Sequence, residues 1–197
     1  GPARSPVPAP APAPTDPAAW VEQTLAGLTV EEKVGQLLLQ WTSGEFMNVE
    51  GPAFREVVRL IETYHVGGLT LGFGTPPEFA TTLNALQARA KIPLLFSANL
   101  EYGPGARLRV PTYLPYTMHG SGGTVFPTKL GLGATADPAI AEAMGRITAV
   151  EARAVGMHWA FAPVTDVVTD PSNPIINTRG IGGDAELVAR LSAAFIR

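Results

Sequence analysis

Residues 159–166 read WAFAPVTD, an apolar run that ends abruptly at Pro163. A polar loop follows, with the segment NPIINTR at residues 173–179, and a new helix is predicted to begin near Ala185. A buried strand that leads into a long polar loop is typical of α/β barrels, which carry their functional residues at the carboxyl ends of the strands. We therefore predict a barrel strand at residues 159–162, with functional side chains just after it.

Short apolar runs alternate with helical patterns along the rest of the chain. Three further runs predict strands, at residues 37–39, 66–71 and 94–98. Helices are predicted at residues 16–26, after the capping-box pair Thr29 and Glu32, across residues 54–61 and 79–90, from Asp137 and from Ala185. The pattern predicts an α/β fold of four strand–helix units, the first half of a TIM-type (β/α)8 barrel. Because a full barrel takes about 250 residues, we expect the native protein to continue beyond Arg197.

The composition narrows the class of protein. Of the 197 residues 46% are hydrophobic, the net charge is −3, and there is neither a basic block nor a cysteine. These features argue against nucleic-acid binding, a disulfide framework and thiolate metal sites, and no apolar run approaches the roughly 20 residues of a membrane span. We expect a single domain over residues 16–197.

Residues 1–15 form a Pro/Ala-rich tract that predicts a disordered, extended linker. A tether of this type often follows an export signal that has been removed. The tract therefore predicts a periplasmic or secreted protein, with a cytoplasmic location as the alternative.

A second polar segment follows the predicted strand at residues 94–98. Asn99 and Glu101 are two residues apart, so in an extended chain both face the expected pocket. Gly103 permits a tight turn, and Arg107 can return over the pocket as a hydrogen-bond fork. Amides, carboxylates and guanidinium groups are what a sugar site needs for hydroxyl recognition. The alternative is an ordinary loop with a salt-bridged Glu101.

Several ordered motifs together resemble glycoside hydrolase family 3. They are LTVEEKVGQ at residues 28–36, HVGGL at 65–69, the NLEYGPGAR segment at 99–107, TVFP at 124–127, LGAT at 132–135, and FAPVTD with NPIINTR at 161–166 and 173–179. The form is most similar to the bacterial β-N-acetylhexosaminidase branch. The resemblance covers residues 16–197 and implies the front part of the family's catalytic barrel.

The resemblance implies a sugar subsite lined by Asn99, Glu101, Arg107, Asp166 and Arg179. Asn99 stands where the family has an Asp that binds sugar hydroxyls, and an amide offers no charge and one fewer acceptor oxygen. For Arg179 the alternative is a loop-stabilising ion pair with Asp184 or Asp170. For Asp166 it is a loop cap.

The resemblance also implies a retaining β-glycosidase that releases terminal β-linked N-acetylhexosamine and needs no metal or organic cofactor. The family's catalytic groups would lie beyond Arg197, so no catalytic residue is expected in this chain, and the chain alone is expected to be inactive. The remainder of its own barrel is an expected partner. Alternatives are a β-glucosidase or β-xylosidase of the same family, a catalytically silent carbohydrate-binding or scaffold protein, and an unrelated α/β-barrel enzyme.

Overall fold

The computed structural model describes residues 16–109 and 122–197. The predicted linker at residues 1–15 lies outside this part of the chain. The helices are α1 (Pro17–Ala26), α2 (Val30–Gln36), α3 (Pro52–Glu62), α4 (Pro76–Gln87), α5 (Lys129–Thr135), α6 (Pro138–Ala154) and α7 (Ala185–Ile196). The strands are β1 (Leu39–Thr42), β2 (Gly68–Leu71), β3 (Leu95–Asn99) and β4 (Trp159–Phe161). Short 3-10 turns lie at Pro104–Ala106 and Asn177–Arg179.

The helices begin where local capping chemistry places them. The Thr29 hydroxyl accepts a hydrogen bond from the Glu32 amide, and the Glu32 carboxylate accepts one from the Thr29 amide, as predicted. Asp137 caps α6 by accepting from the Ala139 amide. A second capping box, which the sequence reading overlooked, starts α4 at Thr75 and Glu78.

The four strands form one parallel sheet in the order β1-β2-β3-β4. This is the half-barrel of strand–helix units predicted from the sequence. The predicted position of the first strand was wrong, because Leu37 and Leu38 donate backbone hydrogen bonds to Val34 and Gly35 and so complete the last turn of α2. The strand itself starts at Leu39.

Two hydrophobic clusters hold these elements together. The first lies between the sheet and helices α3 and α4, and includes Leu69, Leu71, Phe96, Ala98, Leu100, Phe54, Val57, Phe79 and Leu83. The second lies among α5, α6 and α7, and includes Leu132, Met144, Ile181, Val188, Leu191 and Phe195. Gly145 permits the close crossing of α6 and α7, since a Cβ there would lie 1.9 Å from the Phe195 carbonyl oxygen. Ala162 packs against both clusters.

The face of the sheet opposite the helices carries large exposed side chains. Side chains alternate between the two faces along each strand. Because Leu69, Phe96 and Ala98 pack toward the helices, Leu95 and Asn99 lie on the other face. Trp41 and Trp159 align with this face through their partners in the sheet, and both are about half exposed. Trp41 therefore does not pack in a hydrophobic core in this structure.

No helix in residues 16–109 and 122–197 has the length and apolar character needed to cross a membrane.

Candidate functional site

The turn after β3 brings Asn99, Glu101 and Arg107 to the carboxyl end of the sheet. Gly103 has φ 85°, a conformation that suits glycine, and its amide donates to the Leu100 carbonyl oxygen at 2.9 Å. The 3-10 turn that follows reverses the chain, so that Arg107 Nε donates to the backbone oxygen of Asn99 at 2.9 Å. Arg107 thus returns to the end of β3, and the half-buried side-chain amide of Asn99 forms no hydrogen bond with any described residue.

The loop after β4 delivers Arg179 to the same place. Asn177, with φ 37°, starts the 3-10 turn, and its side-chain amide donates to the Pro171 carbonyl oxygen at 3.2 Å. Arg179 Nη2 then donates to Glu101 Oε1 at 2.7 Å. The Glu101 side chain is nearly buried, whereas that of Arg179 remains about a third exposed. The two loops therefore meet in a charge-assisted hydrogen bond, a strong type of polar contact.

This geometry answers the alternatives raised for Glu101 and Arg179. Glu101 is salt-bridged, as the structural alternative for that residue requires. The partners suggested for Arg179 were wrong, because Asp170 accepts hydrogen bonds from Ser172 and Asp184 caps α7 through the Leu187 amide. Arg179 therefore forms a loop-stabilising ion pair with Glu101 and still exposes part of its guanidinium group.

Asp166 is not drawn into this cluster. Its side chain is exposed and forms no hydrogen bond or ion pair within the described part of the chain. The predicted loop-cap role is likewise not seen there. Its place in a sugar subsite stays a prediction.

An aromatic and arginine cluster lies beside the site and was missed by sequence reasoning. The Arg107 and Arg109 guanidinium carbons lie 4.9 and 4.3 Å from the centre of the Phe73 ring. Arg109 also pairs loosely with Glu45 at 3.8 Å. The loops after β1, β2 and β3 therefore converge at one edge of the sheet, where barrel enzymes build their sites.

The segment at residues 122–126 is held by hydrogen bonds to α6 and to the turn after β3. The Glu151 carboxylate accepts hydrogen bonds from the Thr124 amide at 2.7 Å and the Thr124 hydroxyl at 2.6 Å. The Phe126 amide donates to the Tyr102 carbonyl oxygen at 2.8 Å. Residues 110–121 between these segments lie outside the described part of the chain.

Lys129 is the second feature that sequence reasoning missed. It is the first residue of α5 and has no exposed surface, and its Nζ has no hydrogen-bond partner among the residues that the structure describes. The Phe195 and Phe126 rings lie 4.7 and 5.8 Å from it. Burial lowers the pKa of Lys129 to about 8, and the negative charge of Glu101 opposes that decrease. The sequence signal for this burial is that Lys129 is the one charged residue of the segment KLGLGAT at residues 129–135.

Two other functions receive no support from the geometry. The GLGATA sequence at residues 131–136, which has the spacing of a dinucleotide-binding fingerprint, lies mostly inside α5 instead of between a strand and a helix. Within residues 16–109 and 122–197 no group of three or more His, Asp or Glu side chains is placed to hold a metal ion.

Comparison with known proteins places the chain in a family. The profile of the glycosyl hydrolase family 3 N-terminal domain matches residues 29–197. The chain belongs to glycoside hydrolase family 3. The matched range includes both of the loops that supply Glu101 and Arg179.

Family 3 proteins from several bacteria are similar to this chain. A β-N-acetylglucosaminidase/β-glucosidase of Cellulomonas fimi is 35% identical over 184 residues, which cover 92% of this chain and 29% of that protein. The β-hexosaminidase A of Pseudoalteromonas piscicida is 27% identical over 86% of this chain and 30% of its own length. The chain thus spans about three-tenths of these relatives.

Solved structures of family 3 proteins share the fold. A β-N-acetylglucosaminidase from Paenibacillus superposes with a TM-score of 0.70 at 34% identity, over 86% of this chain and 30% of that one. A β-N-acetylhexosaminidase from Beutenbergia cavernae gives 0.69 at 30% identity, over 86% and 50%. A β-glucoside phosphorylase bound to 2FGlc gives 0.72 at 29% identity, over 90% and 29%.

Proposed function

We propose that this chain is the N-terminal part of the catalytic barrel of a retaining β-glycosidase that releases terminal β-linked N-acetylhexosamine from peptidoglycan or chitin fragments. The observation that carries the proposal is the Glu101–Arg179 pair, which fixes a partly exposed guanidinium at the carboxyl edge of a parallel sheet. The hexosaminidase activities named for its relatives support the choice of sugar.

The binding role falls to groups with spare hydrogen-bonding capacity. The Asn99 amide has a donor and an acceptor available, and Arg179 has guanidinium N–H groups beyond those that donate to Glu101 and to the Ile175 carbonyl oxygen. Arg107 is held by the Asn99 backbone and can donate from its remaining nitrogens. Sugar hydroxyls and an acetamido group match this set of donors and acceptors. Asp166 is proposed to complete the subsite from the β4 loop.

The reaction itself requires groups that we assign to no residue of this chain. A retaining glycosidase uses a carboxylate nucleophile and a group that transfers a proton, and it forms a covalent glycosyl–enzyme intermediate. We propose that these groups lie beyond Arg197 and that no metal or organic cofactor takes part. The role of residues 16–197 is then to bind and orient the sugar.

The rest of the barrel is proposed as the partner of the exposed sheet face. Leu95, Trp159, Phe161 and Trp41 form an apolar surface opposite the helices. In a closed barrel, such inward-facing side chains fill the interior in layers.

For the cellular location, the Pro/Ala-rich tract at residues 1–15 supports the periplasm or the cell exterior, and the cytoplasm is the alternative. Fractionation of cells that express the full-length protein tests this.

The proposal is tested with the full-length protein and p-nitrophenyl β-glycosides. We expect release of p-nitrophenol from the β-N-acetylglucosaminide, with kcat/KM above that for the β-glucoside. Arg179→Lys should raise KM, whereas the surface change Arg59→Lys should leave it unchanged. If only the β-glucoside or the β-xyloside is hydrolysed, the proposed substrate is wrong and the enzyme is a β-glucosidase or β-xylosidase. If none of these glycosides is hydrolysed, the glycosidase proposal is refuted.

A second candidate is a catalytically silent carbohydrate-binding protein, which the neutral Asn99 favours. Binding of N-acetylglucosamine without turnover, measured by calorimetry on the full-length protein, would support it. Turnover would exclude it.

A further inference from the structure

Glu151 is a carboxylate at an unfavourable position on its helix. It belongs to the last turn of α6, where the partial negative charge of the helix carboxyl end disfavours an anion. The residue is half-buried, and its carboxylate forms no ion pair with any described residue. The proposed sugar chemistry does not use it. Other contacts of this carboxylate must therefore offset the cost of its position.

Those contacts are made with a single residue, Thr124. Glu151 Oε2 accepts a hydrogen bond from the Thr124 amide at 2.7 Å, and Oε1 accepts one from the Thr124 hydroxyl at 2.6 Å. Both bonds are charge-assisted and therefore of a strong type. Because the main chain and the side chain of Thr124 are held at once, this residue is fixed in both position and orientation relative to α6.

Thr124 in turn holds the turn after β3. Its carbonyl oxygen accepts a hydrogen bond from the amide of Gly105, the middle residue of the 3-10 turn, at 2.9 Å. Two residues further on, the Phe126 amide donates to the Tyr102 carbonyl oxygen at 2.8 Å. Helix α6 itself also packs against the 3-10 turn. The turn is therefore held at two points by a segment that Glu151 ties to α6.

The same turn carries Arg107 back to the end of β3. The Arg107 amide donates to the Pro104 carbonyl oxygen at 2.9 Å, and its Nε donates to the backbone oxygen of Asn99 at 2.9 Å. A continuous path of hydrogen bonds thus runs from Glu151 through Thr124 and the turn to the guanidinium group. The position of that group depends on a carboxylate that lies on a helix outside the subsite.

We propose that Glu151 is a positioning residue of the sugar subsite, which through Thr124 holds the turn after β3 in the conformation that presents Arg107. This inference rests on the proposed function where sugar binding is the readout. The hold of Glu151 on the turn can be measured without any sugar.

The test measures backbone hydrogen–deuterium exchange in the full-length protein by mass spectrometry of its peptides. Glu151→Gln leaves one acceptor oxygen in place of two, so exchange in residues 102–109 should become about tenfold faster while β2 and α4 stay unchanged. Glu142→Gln, the same change at an exposed position of α6, should match the wild type. Exchange in residues 102–109 that is unchanged, or accelerated equally along the whole chain, would overturn the proposal.

A second pair of variants covers the case in which Glu151→Gln fails to fold. Thr124→Val removes the hydroxyl donor at nearly the same side-chain volume, whereas Thr124→Ser keeps that donor. The valine variant should accelerate exchange in residues 102–109, and the serine variant should not. Equal exchange in the two variants would refute the role of the Glu151–Thr124 contact.

Steady-state kinetics then separate positioning from a role in the chemical step. With p-nitrophenyl β-N-acetylglucosaminide, Glu151→Gln should raise KM about fivefold at unchanged kcat, because Arg107 is proposed to bind the sugar in the ground state and the transition state alike. Thr124→Ser should keep the wild-type KM. A wild-type KM in Glu151→Gln would contradict the positioning role. If the wild type hydrolyses no β-glycoside, the proposed function fails, and the exchange measurement still decides the inference.

Discussion

Glu101 Oε1 and Arg179 Nη2 lie 2.7 Å apart although the two residues are separated by 78 positions in the chain. The pair joins the loop after β3 to the loop after β4 at the carboxyl edge of the sheet. Because Glu101 is nearly buried, this contact is screened less by water than the surface pairs of the same protein. The two loops are thereby held as one structure.

Breaking this pair should weaken sugar binding and the fold together. In Glu101→Gln the guanidinium loses its charged acceptor, so we expect KM for a β-N-acetylglucosaminide to rise about tenfold or more and unfolding to cost about 1–3 kcal/mol less. Steady-state kinetics and denaturant titration measure these. Glu56→Gln, which breaks the exposed pair with Arg59, is the control and should alter neither. Wild-type KM in Glu101→Gln would contradict the role of the pair.

Restoring the family's carboxylate at position 99 should tighten sugar binding. Asn99→Asp changes one terminal group without changing shape, and an ionised oxygen accepts stronger hydrogen bonds from hydroxyls. We expect KM to fall about tenfold. Asn84→Asp on the exposed face of α4 adds the same charge elsewhere and should leave KM unchanged. A KM that rises or stays constant in Asn99→Asp would show that the amide at position 99 does not weaken sugar binding.

Lys129 should make stability depend on pH in the alkaline range. Its pKa of about 8 lies below the ordinary value of 10.5, so between these values the unfolded chain binds more protons than the folded one. Stability from this group therefore rises with pH, by roughly 3 kcal/mol over the interval. Urea titrations from pH 7 to 10.5 should show this slope in the difference between wild type and Lys129→Met. Parallel curves for the two proteins would contradict it.

His158 should make the sheet sensitive to acid. Its Nδ1 accepts from the Phe96 amide at 3.2 Å, and burial, followed by the charge of Arg153, lowers the pKa of His158. Below about pH 6.5 the unfolded chain takes up the proton more readily, so stability present at neutral pH is lost as pH falls.

The substitution His158→Asn tests that acid sensitivity, since it keeps an acceptor and removes the titration. It should flatten thermal stability between pH 7 and 5 relative to the wild type. His65→Asn leaves the bond to Phe96 intact and serves as the control. An unchanged pH profile in His158→Asn would assign the acid sensitivity to other groups.

The α6–α7 crossing should not tolerate a methyl group at position 145. A Cβ on Gly145 would lie 1.9 Å from the Phe195 carbonyl oxygen, so Gly145→Ala must push α7 away, at a cost of about 1–3 kcal/mol or more. Gly131→Ala meets its nearest neighbour at an ordinary 3.5 Å and should be neutral or slightly stabilising. Equal melting temperatures for the two variants would refute the close crossing.

Local chemistry made much of the fold predictable from sequence. The caps at Thr29 and Asp137 involve residues within three positions of each other, so their outcome depends little on the rest of the chain. The start of β1 was not predictable, because an apolar run such as Leu37–Leu39 fits either a helix end or a strand. Helix α5 was missed because its two glycines weaken the helical pattern.

The site was harder to predict because its contacts are non-local. The sequence indicated Glu101 and Arg179 separately, but only the fold shows that each is the other's partner. The burial of Lys129 depends on Phe195, which comes 66 positions later, so no local pattern reveals it. Asp166 shows that a position just after a strand does not by itself bring a side chain into contact with the other residues of the site.

Ala162 packs against both hydrophobic clusters, and this small contact has a mechanical consequence. Leu100, next to Glu101, belongs to the first cluster, and Ile181, close to Arg179, belongs to the second. Because the two paired residues are anchored beside different clusters, the 2.7 Å contact between them depends on how the two clusters pack against each other. A larger side chain at position 162 is therefore expected to disturb the Glu101–Arg179 contact although it touches neither residue's charged group.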